Sequence, residues 1–143
     1  MYIDQLWGRS PDILEQAVTA PHANHSVIAI VELMHAIGAL DPDDKRTSSV
    51  AVEIQNLIRR MPRHRILTPD ADVLGRAGLL AGAMCRVQGF GKERRMRALH
   101  DCVLFLQAQK LGLTVITRDV GDFDVLMQLL PAGRVLFYRR KES

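Results

Sequence analysis

Asp101, Asp119 and Asp122 are the residues whose types and spacing most invite chemistry. Asp101 stands immediately before the apolar run Cys102-Val103-Leu104-Phe105-Leu106, while Asp119 and Asp122 follow the β-branched segment 113–117. Taking an ionised carboxylate out of water costs several kcal/mol unless it is partnered. Acids gathered beyond the carboxyl end of an expected parallel strand therefore point to a bound cation rather than to packing. Three or four converging carboxylates repel one another by roughly 4 kcal/mol per close pair at an effective dielectric near 20, a penalty that a divalent cation removes. All-oxygen ligation selects Mg2+ or Mn2+ over zinc, and neither Cys85 nor Cys102 has a CxxC partner. Such a cation activates water and stabilises charge on phosphate oxygens, which is the chemistry of phosphodiester hydrolysis. Arg94, Arg97 and Arg118 lie close in sequence to the acids and are candidates for meeting the phosphates of such a substrate.

Each acid also has a plainer use. Asp101 follows Arg97 at the i,i+4 spacing of a helical ion pair worth a few tenths of a kcal/mol. On its helix it sits opposite the stripe Met96, Leu99, Val103 and Leu106. Glu32, the only acid between Pro21 and Leu40, is expected at a strand-to-helix junction. There it either points from the sheet edge into a cleft or serves the dipole of a first helical turn. One of Asp119 and Asp122 suffices to cap the helix expected to begin near Asp122, so the second is a surplus. The other candidates are thin. The histidines show no HExxH spacing, Gly89-Phe90-Gly91-Lys92 follows a helix rather than a strand, and no serine sits in a nucleophile elbow.

The elements that must position these residues alternate between strand and helix. Residues 1–7 read as the end of a strand entering a helix, with a helical stretch over 12–19. The β-branched segment 25–31 reads as a strand running straight into a helix over 32–40. Asp41-Pro42-Asp43-Asp44 marks a turn. Helical periodicity covers 48–61 and stops at Pro62, a short strand covers 65–68, and Pro69-Asp70 opens a helix over 71–87. After Gly89 and Gly91 a long helix spans 92–110 and ends at Gly112. A strand over 113–117, a helix over 122–130 closed by Pro131, and a final strand over 134–138 complete the chain. This alternation predicts an α/β fold with a mainly parallel sheet and right-handed crossovers.

With 143 residues, 48% hydrophobic and 24% charged, the chain reads as one soluble domain, residues 1–143, with a substantial core. No apolar run reaches the roughly 18 to 20 residues that a membrane span needs, so no membrane association is expected. Two cysteines are too few for a disulfide framework and suit a reducing, cytoplasmic setting. The net charge of +3 is unevenly spread. Basic residues gather at Arg59-Arg60-Met61-Pro62-Arg63-His64-Arg65, at Lys92-Glu93-Arg94-Arg95-Met96-Arg97 and at Arg139-Arg140-Lys141, clusters that suit an anionic partner such as nucleic acid.

Taken together, the segment from Ser26 to Glu32-Leu33, the run Leu99-His100-Asp101 and the run Thr117-Arg118-Asp119-Val120-Gly121-Asp122-Phe123 resemble the PIN domain. The similarity is to the ribonuclease toxins of VapBC-type toxin–antitoxin pairs, whose T-x-N/D-x-x-D-F signature the last run matches. It extends over almost the whole chain. It implies a three-layer sandwich, a central mainly parallel sheet flanked by helices. It also implies that Glu32, Asp101, Asp119 and Asp122 hold Mg2+ or Mn2+, with Thr117 positioning the loop and Ser26 a supporting polar contact. The implied partners are an RNA substrate, a small cognate antitoxin and a second copy of the chain in a homodimer. The family's opening strand carries an aspartate ahead of the position where Met1 stands. Met1-Tyr2-Ile3-Asp4 matches only the end of that motif, which predicts a first strand truncated at the N-terminus and leaves Asp4 as an imperfect substitute.

Two functions follow from the resemblance: a metal-dependent endoribonuclease toxin, or an inactive PIN-like module that binds RNA or an antitoxin. An unrelated phosphatase-type α/β enzyme would need a nucleophilic aspartate directly after the first strand, for which Asp4 is the sole candidate.

Overall fold

Ser26 decides how the first described elements form. The computed structural model describes residues 11, 12, 16 and 22–140. Within them, β1 (His25–Ser26) is only a two-residue strand, and α1 (Val27–Gly38) begins at once because the Ser26 side chain accepts a hydrogen bond from the Ile28 amide at 3.3 Å. The β-branched run 27–31 is therefore helical, which corrects the strand expected over 25–31. Its propensity is overridden by the cap and by burial of Ala29 and Leu33 on one face of α1. The expected first strand, Asp4 and most of the helix expected over 12–19 lie outside the described residues.

The chain divides into two units, residues 1–68 with 139–143, and residues 69–138. In the first, α1 packs against α2 (Thr47–Arg60), and Leu33, Ile54 and Met61 form a buried cluster lined by Ile30, Ile37, Leu57 and Ile58. Met61 takes an extended conformation ahead of Pro62, which ends α2. A single 3-10 turn, Arg63–Arg65, then leads into β2 (Ile66–Leu67), which pairs in parallel with β1.

The second unit opens with α3 (Ala71–Gln88), which packs against α4 (Lys92–Lys110). β3 (Thr114–Thr117), α5 (Val120–Leu129) and β4 (Arg134–Phe137) follow. β3 and β4 are parallel in the register Thr114↔Arg134 to Thr117↔Phe137. Both described strand pairs are thus parallel, as the strand–helix alternation predicts. Gly112, at φ +67°, closes α4 with a left-handed turn in which Leu113 N–H donates to the Ala108 carbonyl at 2.8 Å. That turn sends the chain directly into β3. Gly133 lies against the Phe105 ring so closely that no Cβ fits there.

α3 starts at a cap that the Pro69-Asp70 signal foretold. The Asp70 carboxylate accepts from the Val73 amide at 2.9 Å and from the Lys110 ammonium at 2.5 Å, tying the head of α3 to the tail of α4. The Lys110 contact first, then the Val73 amide, hold the Asp70 carboxyl below the usual carboxylate range. A folded-state pKa lowered in this way contributes stability that is full above the ordinary value of 3.8 and drains away as the pH falls below it. Asp70→Ala is expected to lower Tm by a few degrees at neutral pH, with the gap to wild type closing in acid melts below that value. An undiminished gap in acid would show that the carboxylate's charge plays no part.

Candidate metal centre

Three carboxylates are brought together by two helix geometries. On α4, Asp101 and Phe105 are one turn apart and both buried, Asp101 with 7% of its surface exposed. Their neighbours Ala98, Cys102 and Val103 are buried, whereas Met96 is 59% exposed. Val103 and Leu106 of the expected stripe are buried while Met96 is not, and Asp101 on the other side is buried as well, so α4 is buried on both faces from Asp101 onward. The apolar run after Asp101 obscured the phase, because residues 102–106 are apolar on every side.

The second geometry is the head of α5. The helix starts at Val120, not at Asp122 as expected. Asp119 is its N-cap: Oδ1 of Asp119 accepts from the Asp122 amide at 3.4 Å, and the Asp119 amide donates to Thr117 Oγ1 at 3.1 Å. Asp122 falls in the first turn, where the helix dipole favours a negative charge. One ligand atom from each of Asp101, Asp119 and Asp122 lies within 4.8 Å of the other two. The next residue, Phe123, is 1% exposed and meets Phe105 at a ring-centroid distance of 6.4 Å and an interplanar angle of 57°. The aromatic pair thus clamps α5 to α4 directly beside the acids that the two helices present.

Like charges this close repel by roughly 3 kcal/mol per pair at an effective dielectric near 20. Two arginines on α4 offset part of that. Arg97 Nη2 donates to Asp119 Oδ2 at 2.8 Å, and Arg94 Nη2 lies 3.7 Å from Asp122 Oδ1 with its guanidinium over the Phe90 ring. Both arginine side chains are 64% exposed, so each pair is a surface ion pair worth about 0–1 kcal/mol. Arg97 thus reaches across to α5, a contact that the i,i+4 spacing to Asp101 does not reveal. The sequence signals were its place in the basic run 92–97 and its i,i+4 spacing on the face of Asp101.

The donor set suits a hard divalent cation: three carboxylates, two of them buried, with oxygens within bridging distance. Cys102 is not part of the cluster, and burial, reinforced by the Asp101 charge, pushes its thiol up to about 12. The sulfur instead lies 3.6 Å from Met84 Sδ in the core.

The remaining candidates stand as follows. Glu32 is exposed on α1, beyond its first turn rather than at a strand-to-helix junction, and belongs to the first unit. The three-carboxylate cluster is built wholly from the second. Ser26 caps α1, Arg118 is exposed at the end of β3, and Asp4 lies outside the described residues.

No protein-family model matches this chain, and no curated protein matches it in sequence. A solved structure does match: the crystal structure of VapBC2 from Rickettsia felis bound to a DNA fragment from their promoter. The superposition has a TM-score of 0.62 at 15% sequence identity and covers 96% of this chain and 93% of that one. At that identity it is the fold that is shared, a PIN-like α/β fold as the sequence resemblance implies. No described helix is long and apolar enough to cross a membrane.

Proposed function

We propose that the protein is a Mg2+- or Mn2+-dependent endoribonuclease of the VapC type, the toxin of a toxin–antitoxin pair. The observation that carries this reading is the convergence of Asp101, Asp119 and Asp122 from two helices clamped by Phe105 and Phe123. The fold shared with the VapBC2 complex supports it. Asp101, Asp119 and Asp122 are the proposed ligands, with Glu32 completing the set by resemblance. The bound cation would supply a water activated for attack and neutralise charge on the phosphate oxygens. Thr117 fixes the Asp119 loop, and the α5 cap holds Asp119 in one rotamer. Arg94, Arg97 and Arg118 bind the phosphates on either side of the scissile bond. The partners of this reading are an RNA substrate, a small antitoxin and a second copy of the chain, within a single domain acting in the cytoplasm. The test is cleavage of a mixed RNA pool with Mn2+ and with EDTA: products only with Mn2+ support the nuclease, and intact RNA in both overturns it.

A second reading rests on the arginines, which already counter two of the three acids. An inactive module binding RNA or an antitoxin would use the cluster as a fixed ion-pair network. Arg97→Ala separates the two. If Arg97 is a displaceable counter-ion, its loss raises Mn2+ affinity by at most about fivefold, the equivalent of a surface pair, and weakens RNA cleavage. If the network is structural, calorimetry will show no Mn2+ binding in either protein, and Arg97→Ala will only lower Tm.

A further inference from the structure

A basic cluster uninterrupted by any carboxylate lies outside the acid cluster. Between Glu53 and Asp70 there is no carboxylate, and Arg59, Arg60, Arg63, His64 and Arg65 occupy that interval. Its four arginines carry more positive charge than the net +3 of the whole chain. Arg59 and Arg60 end α2, where cations favour the helix dipole. That accounts for neither Arg63 nor His64, which lie beyond the helix on the 3-10 turn. Arg59, Arg60, Arg63 and His64 are all exposed, and among the described residues none has a carboxylate partner. Between the two arginine pairs, Met61 is 6% exposed and packed with Leu33 and Ile54. The backbone that carries the cations is thus fixed to the core. Arg65 has a different use: it is half-buried, and its guanidinium lies 3.5 Å from Asn24 Oδ1 and 3.4 Å from His22 Nδ1.

We propose that Arg59, Arg60, Arg63 and His64, presented on the α2 end and the following 3-10 turn, form a binding surface for the phosphate backbone of single-stranded RNA. The proposal extends the ribonuclease reading, on which its choice of RNA rests. The patch contains arginine and no lysine, and the planar guanidinium fork matches phosphate oxygens two at a time. A surface of this kind reads charge spacing rather than base identity.

The test measures binding of a labelled single-stranded RNA in EDTA, where cleavage cannot intervene, over a salt titration. The proteins are wild type, Arg59→Gln/Arg60→Gln/Arg63→Gln and the exposed control Arg86→Gln. The triple variant is expected to bind at least about tenfold more weakly and to lose about 2 from the slope of log affinity against log salt, while the control behaves as wild type. Matching wild-type affinity and slope in the triple variant would overturn the proposal, as would a wild type that binds no RNA. Displacement of the RNA by polyglutamate at equal charge would overturn it in favour of an acidic protein partner. Binding is read in EDTA without cleavage, so a failed nuclease reading shows in the Mn2+ cleavage assay and a failed patch shows in this titration, and the two failures are told apart. Circular dichroism and Tm of the triple variant exclude unfolding as the cause, since the replaced side chains are exposed.

Discussion

Asp101→Asn is expected to reduce Mn2+-dependent RNA cleavage by at least about 100-fold while leaving the fold intact. The substitution keeps the shape of a buried side chain and removes one of the three negative charges whose oxygens lie within 4.8 Å. Removing a like charge from that cluster relieves repulsion of roughly 3 kcal/mol per pair, part of which the arginines already offset. The metal-depleted variant is therefore expected to melt at or above the wild-type temperature. The opposite holds when Mn2+ is added: wild type gains stability as the ion binds its native state, and the variant gains little. This crossed pattern identifies a metal ligand. A folded Asp101→Asn protein that cleaves at the wild-type rate would remove Asp101 from the site.

Phe123→Ala carries the largest expected effect on stability, a loss of about 3–5 kcal/mol by denaturant titration. Phe123 and its partner Phe105 are each 1% exposed, and the Gly133 backbone closes against the Phe105 ring. Against a total stability of about 5–15 kcal/mol, such a loss is a large share of what holds the unit folded. Phe123→Leu keeps most of the volume and should recover more than half of it. Because Phe123 follows Asp122 directly, the alanine variant should also bind Mn2+ more weakly at temperatures where it remains folded. A cost under about 1 kcal/mol would mean that the aromatic pair does not clamp α4 to α5.

The contrast between α4 and α1 shows how far the sequence carried the structure. The bounds of α4 were readable because Gly91 and Gly112 punctuate a long helix-forming run, and the same glycine placed β3 immediately after it. The two acids past β3 were readable for a related reason: a polar run between a strand and an apolar helix has few places to go. Segment 27–31 was misread because Val27, Ile28, Ile30 and Val31 favour strands in isolation. The Ser26 cap and the burial of Ala29 and Leu33 favour helix by more. Within the site, the order of Asp101, Asp119 and Asp122 was legible, but their counter-ions were not. The Arg97–Asp119 contact joins two helices through space, and the spacing of residues along one helix cannot report it. The first turn of α5 was misplaced by two residues because either acid makes a good cap, and only backbone geometry shows that Asp119 is the one.

Cys102 turns the core beside Asp101 into a clock. A thiol that is fully buried and held near 12 has almost no thiolate at neutral pH, so a thiol reagent reaches it only when the α3–α4 packing opens. Cys85, on α3, is half-buried and accessible to the same reagent without that opening. The ratio of the two labelling rates therefore reports how often the helix bearing Asp101 breathes, residue-specifically and without any engineered probe.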